Sequence, residues 1–210
     1  MTDRFQPGNL ARVSALTRLM DAIAAGDQRA AVALLDASPS LVTAGLPRRD
    51  ERFLAERLAQ VYEGDTALHA AAFSYDVGMA RELVTRGADI RARNRRGAEP
   101  LHAAMIGGPG SAYWDPPQQR AVILFLVEAG ADPNATAAGG VTPLHRAVRN
   151  RCSAAVEALL SAGADRHLEN DHGSTASDLA RWTTGRGGTG SVEAKAEQGI
   201  IIELLVSATS

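Results

Sequence analysis

The sequence has almost no cysteine and few aromatic residues, and both shortages limit what it can be. Cys152 is the only cysteine among 210 residues, so the chain can form no internal disulfide and no cysteine-based zinc knuckle. Aromatic residues make up 4% of the sequence, so Ala, Leu and Val must supply most of the core. Side chains of this size favour thin helical layers over a thick sandwich core.

The sequence also has little net charge and no long apolar run. A net charge of −2 provides no global field that would attract nucleic acid or an acidic membrane. The first residues lack the apolar run of a signal peptide, and no apolar stretch approaches the roughly 20 residues of a membrane helix. We therefore expect a soluble cytoplasmic protein with neither nucleic acid nor membrane as a partner.

What the sequence does contain is an internal repeat. A Leu-His pair recurs at His69, His102 and His145, at intervals of 33 and 43 residues. A Gly-Ala-Asp triplet recurs in phase behind it, at 87–89, 130–132 and 163–165. A degraded fourth copy opens at Gly173. The unit is therefore 33 residues long, and two copies carry insertions.

Each part of the unit has a structural interpretation, which the third copy shows most clearly. Thr142 can cap a short helix, and Pro143 then lies in its first turn, where a missing N–H has no cost. The paired Leu159 and Leu160 mark the apolar face of a second helix. Gly163 follows where a left-handed residue is needed to end that helix. The unit is thus predicted to be a helix pair followed by a polar turn.

The two motifs at this period resemble the ankyrin repeat, over roughly residues 60–182 and a last helix at about 197–207. The resemblance implies an all-α solenoid of stacked helix-turn-helix pairs with short β-turn or hairpin connections. Within that family the chain is similar to small bacterial single-domain proteins. The predicted divisions begin with a tail at 1–13, a divergent repeat at 14–44 and a linker at 45–63. Three repeats follow, at 64–96, 97–139 and 140–172, and the second of them carries an insertion at 107–117. A capping repeat at 173–210, with an insertion at 183–199, ends the chain's repeat pattern.

The linker at 45–63 has no counterpart in the repeat. Its apolar residues Phe53, Leu54, Leu58 and Val61, together with Arg57, have helical spacing. We therefore predict a short helix in this segment.

The three repeated histidines invite a catalytic or metal-binding interpretation, but the resemblance implies a structural one. The matching ankyrin histidine bonds its own turn and the next repeat. At two positions this chain departs from the family, with Glu99 in place of Thr and Asp178 in place of His, and both changes are expected to soften the local turn. Asp165, His167, Asp171 and His172 lack the spacing of known zinc motifs, so no metal site is predicted.

The resemblance also implies where a partner would bind, because ankyrin repeats use their inter-repeat turns and first helices. Carried onto this sequence, that surface comprises Phe73, Ser74, Arg93, Arg95, Arg96, Ala98, Thr136, Val141, Arg149, Glu169, Asp171 and His172. The arginines make one end of the surface positive and the last turn is acidic, an arrangement that can orient a charged partner. The alternative is that these residues are solvated turns.

The two insertions leave the same edge of the stack and define a second candidate site, for a small anionic ligand. Its residues are Tyr113, Trp114, Asp115, Arg151, Cys152, Arg186, Gly187 and Gly188. Aromatic rings can stack on a ligand, glycine N–H groups and arginines can hold an anion, and a thiol at a helix start near arginines tends to have a lowered pKa. The alternative is that the rings cover the core edge and the glycines form a compliant loop.

The sequence thus favours a module that binds another protein. The alternative is a small-anion or metabolite site, either for binding alone or enzymatic, built by the two insertions over the third repeat. No catalytic residue, metal or cofactor is predicted.

Overall fold

The computed structural model describes residues 14–54, 57, 59–182 and 191–207. It is mostly helical and contains five successive helix pairs. Their bounds are α1 Ala15–Ala25 and α2 Gln28–Ala37, α3 Ala67–Phe73 and α4 Val77–Thr85, α5 Pro100–Ala103 and α6 Pro116–Glu128, α7 Pro143–Arg149 and α8 Ser153–Ser161, and α9 Ala176–Trp182 and α10 Val192–Ser207. Short 3-10 turns lie at Pro39–Val42 and Arg48–Asp50.

Capping residues define where the helices begin and end. Asp76 starts α4 by accepting the N–H of Met79 at 2.8 Å, and Asp27 and Asp115 cap α2 and α6 in the same way. The glycine that follows α4, α6 and α8 has positive φ in each case, for example +95° at Gly87 and +90° at Gly163. The all-α helix-pair architecture predicted from the repeat is confirmed.

The pairs stack in sequence order. The inner helices α1, α3, α5, α7 and α9 each contact the next, and the outer helices α4, α6, α8 and α10 do the same. Fully buried Leu, Ile and Met side chains run through the stack, including Leu19, Leu68, Leu101 and Leu144. Because each layer contacts only its neighbours, one continuous core forms from short local contacts.

The linker forms a β-hairpin, so the predicted helix at 45–63 is wrong. Strands β1 (Arg52–Leu54) and β2 (Ala59–Val61) are antiparallel and pair Phe53 with Gln60. Leu54, Ala59 and Val61 are buried, whereas Phe53 is 55% exposed. The burial thus alternates with a period of two: Leu54, Ala59 and Val61 form one buried face of a short sheet, and Phe53 lies on the opposite face.

Contacts with α1 hold the hairpin against the inner side of the stack. The Arg52 guanidinium donates to the Asp21 carboxylate and to the Thr17 carbonyl, and Arg57 Nε donates to the Ala24 carbonyl at 2.8 Å. Thr17, Asp21 and Ala24 share one face of α1 because they are four and then three residues apart. The hairpin therefore occupies part of the inner face that the other repeats leave open.

The last helix begins earlier than the sequence indicates. Helix α10 starts at Val192, so residues 192–199 of the predicted insertion are helical. Residues 183–190 lie outside the described part of the chain. Glu197 on α10 accepts the N–H of Ser153 at 2.9 Å, at the start of α8, which ties the terminal helix to the third repeat.

Candidate functional site

The three repeated histidines form a ladder through the interior. In His102, Nδ1 accepts the N–H of Glu99 at 3.2 Å, so Nε2 carries the proton and donates to the Val141 carbonyl of the next repeat at 3.2 Å. His69 and His145 repeat this arrangement toward Ala98 and Ser174. Burial lowers the pKa of each ring, to about 3 for His102. The histidines are therefore neutral structural links.

The two departures from the family pattern keep the hydrogen bond that closes each turn. Glu99 donates its N–H to His102 Nδ1 at 3.2 Å, and its Oε1 pairs with the Arg93 guanidinium at 2.9 Å, whereas its buried Oε2 has no hydrogen-bond partner among the described residues. Asp178 accepts the N–H and the hydroxyl of Thr175, at 3.0 and 2.7 Å. A backbone N–H is thus bound across the turn at each place, and the expected softening stays a prediction.

Two residues of the predicted small-ligand site, Trp114 and Asp115, make contacts within their own repeat. Trp114 Nε1 donates to Gln119 at 2.9 Å, and Gln119 in turn donates to the Ala104 carbonyl. Asp115 caps α6, while Tyr113 is 44% exposed. Arg186, Gly187 and Gly188 lie outside the described residues. Trp114 and Asp115 therefore fasten the first insertion to its own repeat.

The predicted lowering of the Cys152 thiol pKa is wrong. The side chain is fully buried, and its Sγ donates to the Gly107 carbonyl at 3.2 Å. Burial raises the thiol pKa to about 12. Desolvation of the thiolate outweighs the nearby helix start and arginines, so Cys152 behaves as a core residue.

The structure divides the predicted partner surface into covered and open residues. Phe73, Ser74 and Ala98 are buried, so their placement on a contact surface is corrected. Val141 is half-buried and pairs with Ala137 in a single β-bridge. The remaining residues are exposed along the turns and at the end of α7: Arg93, Arg95, Arg96, Thr136, Arg149, Glu169, Asp171 and His172.

Two of the exposed arginines are already engaged. Arg93 pairs with Glu99, as above, and Arg95 forms two hydrogen bonds with the Glu51 carboxylate, one of them 2.9 Å long. Glu51 also accepts the N–H of Glu63 at 2.8 Å, and these contacts lower its carboxyl pKa to about 2. Glu51 and Arg95 thus fix the hairpin to the turn of the following repeat.

The other arginines line a depression between the hairpin and the second and third repeats. This depression, called the arginine groove below, has a volume of about 370 Å³. Its lining includes Gln60 and Tyr62 from the hairpin side and Arg96, Arg146, Arg149 and Asn150 from the repeats. Arg96 lies 5.7 Å from the centre of the Tyr62 ring, a cation–π contact.

Arg146 is not among the predicted site residues, although comparison of the repeat copies marks its position as unusual. It occupies the repeat position that is Ala70 and Ala103 in the two preceding copies. The small side chain of Ala103 leaves room for the longer one, and Arg146 Nη1 lies 3.4 Å from the His102 carbonyl. Burial lowers the pKa of Arg146, the nearby Tyr62 and Asp65 oppose this lowering, and the positive charges of Arg149 and Arg96 add to it.

The described residues contain neither a cluster of metal-binding side chains nor a membrane-spanning helix. Among residues 14–54, 57, 59–182 and 191–207, no three His, Cys, Asp or Glu side chains cluster in a way that would hold a metal ion. Within those same ranges, no helix has the length and apolar character needed to span a bilayer.

Comparison with known families gives a match over most of the chain. A family model described as ankyrin repeats in three copies matches residues 19–137, and one described as ankyrin repeats in many copies matches residues 126–180.

Individual proteins resemble the chain over about half its length. Ankyrin repeat and SOCS box protein 16 of Mus musculus is 38% identical over 117 residues, which are 55% of this chain and 25% of that protein. An ankyrin repeat protein of Rickettsia felis is 30% identical over 48% of this chain and 24% of its own length. Neurogenic locus notch homolog protein 2 of Homo sapiens is 31% identical over 54% of this chain and 4% of its own length. The chain spans a quarter or less of these three relatives.

Proposed function

This chain belongs to the ankyrin repeat family, and from that premise we propose that it is a module that binds another protein. A stack of repeats contacts itself only between neighbours, so one long side stays available for recognition. In this chain that side consists of the inter-repeat turns and the open part of the inner helices.

The observation that carries the proposal is a row of exposed polar side chains along this side. Arg96, Thr136 and Arg149 are exposed near the middle of the stack, and Glu169, Asp171 and His172 are exposed at its last turn. Positive charge near the middle of the stack and negative charge at its last turn would favour one orientation of a charged partner. We call this row the open turn surface.

Site-specific photo-crosslinking tests the proposal. A benzophenone amino acid replaces Thr136 or His172 on the open turn surface, and the full-length chain is irradiated in the lysate of its source organism. The matched controls carry the same group at Arg29 or Glu128, which are exposed on the outer helices. We expect one discrete partner protein to be captured from positions 136 and 172.

The control positions decide the outcome. Equal capture from Arg29 and Glu128 would show adhesion without a defined face. Absence of any discrete product from positions 136 and 172, at low and at physiological salt, would refute the open turn surface as the binding face.

A further inference from the structure

We propose that the arginine groove binds a short acidic segment of the partner protein, with its carboxylates against Arg146 and Arg149. This inference rests on the proposed binding function and specifies the chemistry of the segment that is recognised. The groove lies where the hairpin meets the open turn surface, so it is continuous with the face proposed above.

The charges in the groove are only partly compensated, because the Asp65 carboxylate acts on Arg146 without forming an ion pair with it. None of the ion pairs found within the described ranges involves Arg96, Arg146 or Arg149, whereas the adjacent Arg93 and Arg95 are both paired with carboxylates. Like charges held close together repel one another, and burial adds a desolvation cost for Arg146. An incoming carboxylate would relieve both costs, which makes the groove complementary to an acidic ligand.

The fold holds these arginines in place. Arg146 and Arg149 are three residues apart on α7 and therefore project from the same side of the helix. The backbone N–H of Arg96 donates to the Asn94 side chain at 2.9 Å, and its guanidinium lies over Tyr62. Guanidinium groups bind carboxylates through two parallel hydrogen bonds, so a preorganised set favours planar carboxylates.

The hairpin adds an apolar contact beside the charges. Phe53 is paired with Gln60 across the two strands, so the two side chains lie on the same face of the hairpin. Gln60 lines the groove and Phe53 is 55% exposed. A segment that combines acidic residues with a neighbouring apolar side chain would therefore match the groove and the hairpin together.

The charge distribution favours a short acidic peptide over a nucleic acid. The three groove arginines, which form no ion pair within the described ranges, line a volume of only about 370 Å³, and the last turn carries the exposed acids Glu169 and Asp171. A polyphosphate backbone extended along the stack would meet these carboxylates. A peptide with a few acidic residues ends before it reaches them.

Peptide selection tests the proposal. A random dodecapeptide library displayed on phage is selected against the full chain, and binding of enriched peptides is measured by fluorescence polarisation. We expect enrichment of adjacent Asp or Glu residues, and we expect the double variant Arg146→Gln, Arg149→Gln to bind those peptides at least about 10-fold more weakly. If loss of Arg146 disturbs folding, the single variant Arg149→Gln, which changes an exposed residue, provides the same test.

A matched control removes the same charge elsewhere. The double variant Arg29→Gln, Arg120→Gln changes the exposed Arg29 and the half-buried Arg120, both on outer helices, and should bind like the wild type. Equal weakening by both double variants would overturn the groove in favour of bulk charge. Selection without acidic enrichment, or tighter binding of a single-stranded oligothymidylate through Arg146 and Arg149, would also overturn it.

The two proposals can fail separately. If crosslinkers on the open turn surface capture a partner whose binding is unchanged in both the Arg146→Gln, Arg149→Gln double variant and the Arg149→Gln single variant, the groove is wrong and the binding function stands. If nothing is captured there, the binding function fails first.

Discussion

Acidification should weaken the repeat stack through His102. In the folded chain this ring is fully buried, bonded on both nitrogens and held neutral, with a pKa of about 3 against an ordinary value of 6.5. Between those two values the unfolded chain binds a proton that the folded chain does not. The stabilisation is therefore complete above pH ~6.5 and declines as the pH falls toward about 3.

The magnitude follows from the shift. A pH of ~5 lies about 1.5 units below the pKa of 6.5 that the ring has in the unfolded chain. Protonation of His102 alone should therefore lower the free energy of unfolding by about 2 kcal/mol relative to pH ~7.5. Burial lowers the pKa of His69 and His145 as well, so both add in the same direction. Urea unfolding followed by circular dichroism at both pH values measures the total.

Replacement of His102 isolates its contribution to the pH dependence of the free energy of unfolding. The variant His102→Gln should be less stable than the wild type at pH ~7.5, because both links are disturbed, but it should lose about 2 kcal/mol less on acidification to pH ~5. His172→Gln, which replaces an exposed ring, is the matched control. If wild type and His102→Gln lost the same free energy between these pH values, the assignment of His102 as a neutral buried link would be refuted.

Two further predictions concern close packing. A Cβ at Gly64, where φ is +87°, would lie 2.9 Å from Asn94 Cα, so Gly64→Ala should cost roughly 3 kcal/mol or more of unfolding free energy. Gly87 has a similar φ of +95°, but a Cβ added there would meet no neighbouring atom within 4 Å, so Gly87→Ala should cost only about 1 to 2 kcal/mol. Equal losses of unfolding free energy for the two variants in urea would contradict this account. Burial raises the Cys152 pKa from 9.0 to about 12, which lowers its thiolate fraction roughly 1000-fold, so the native thiol should resist a disulfide reagent that labels it at once in guanidinium. Rapid labelling of the native chain would show that Cys152 is accessible.

The histidine ladder could be predicted from the sequence because its parts are local or strictly periodic. The cap between Thr142 and His145 spans three residues, and the link from His145 to Ser174 spans 29, close to one repeat. The same regularity made the helix pairs readable. The family pattern did not indicate how position 178 would be bonded, since the Asp178 carboxylate accepts the backbone N–H of Thr175 where a histidine ring would accept it.

The hairpin could not be predicted in this way. Its three-residue strands are too short for an alternating pattern to stand out, and Phe53, Leu54 and Val61 fit helical spacing as well. The contacts that decide the matter join Arg52 and Arg57 to α1, more than 30 residues earlier. The local sequence pattern does not indicate contacts with residues so far apart in the chain.

The sequence by itself determined the stack, since a 33-residue unit with recurring caps and glycines can bury its apolar face only against its neighbours. The tertiary structure decided what the open side offers. The hairpin lies against the inner side of the stack, Cys152 is buried, and Arg96, Arg146 and Arg149 are brought to one groove with Tyr62. The physical reason is that burial and charge depend on which distant segments meet, and a repeat pattern specifies only the adjacent ones.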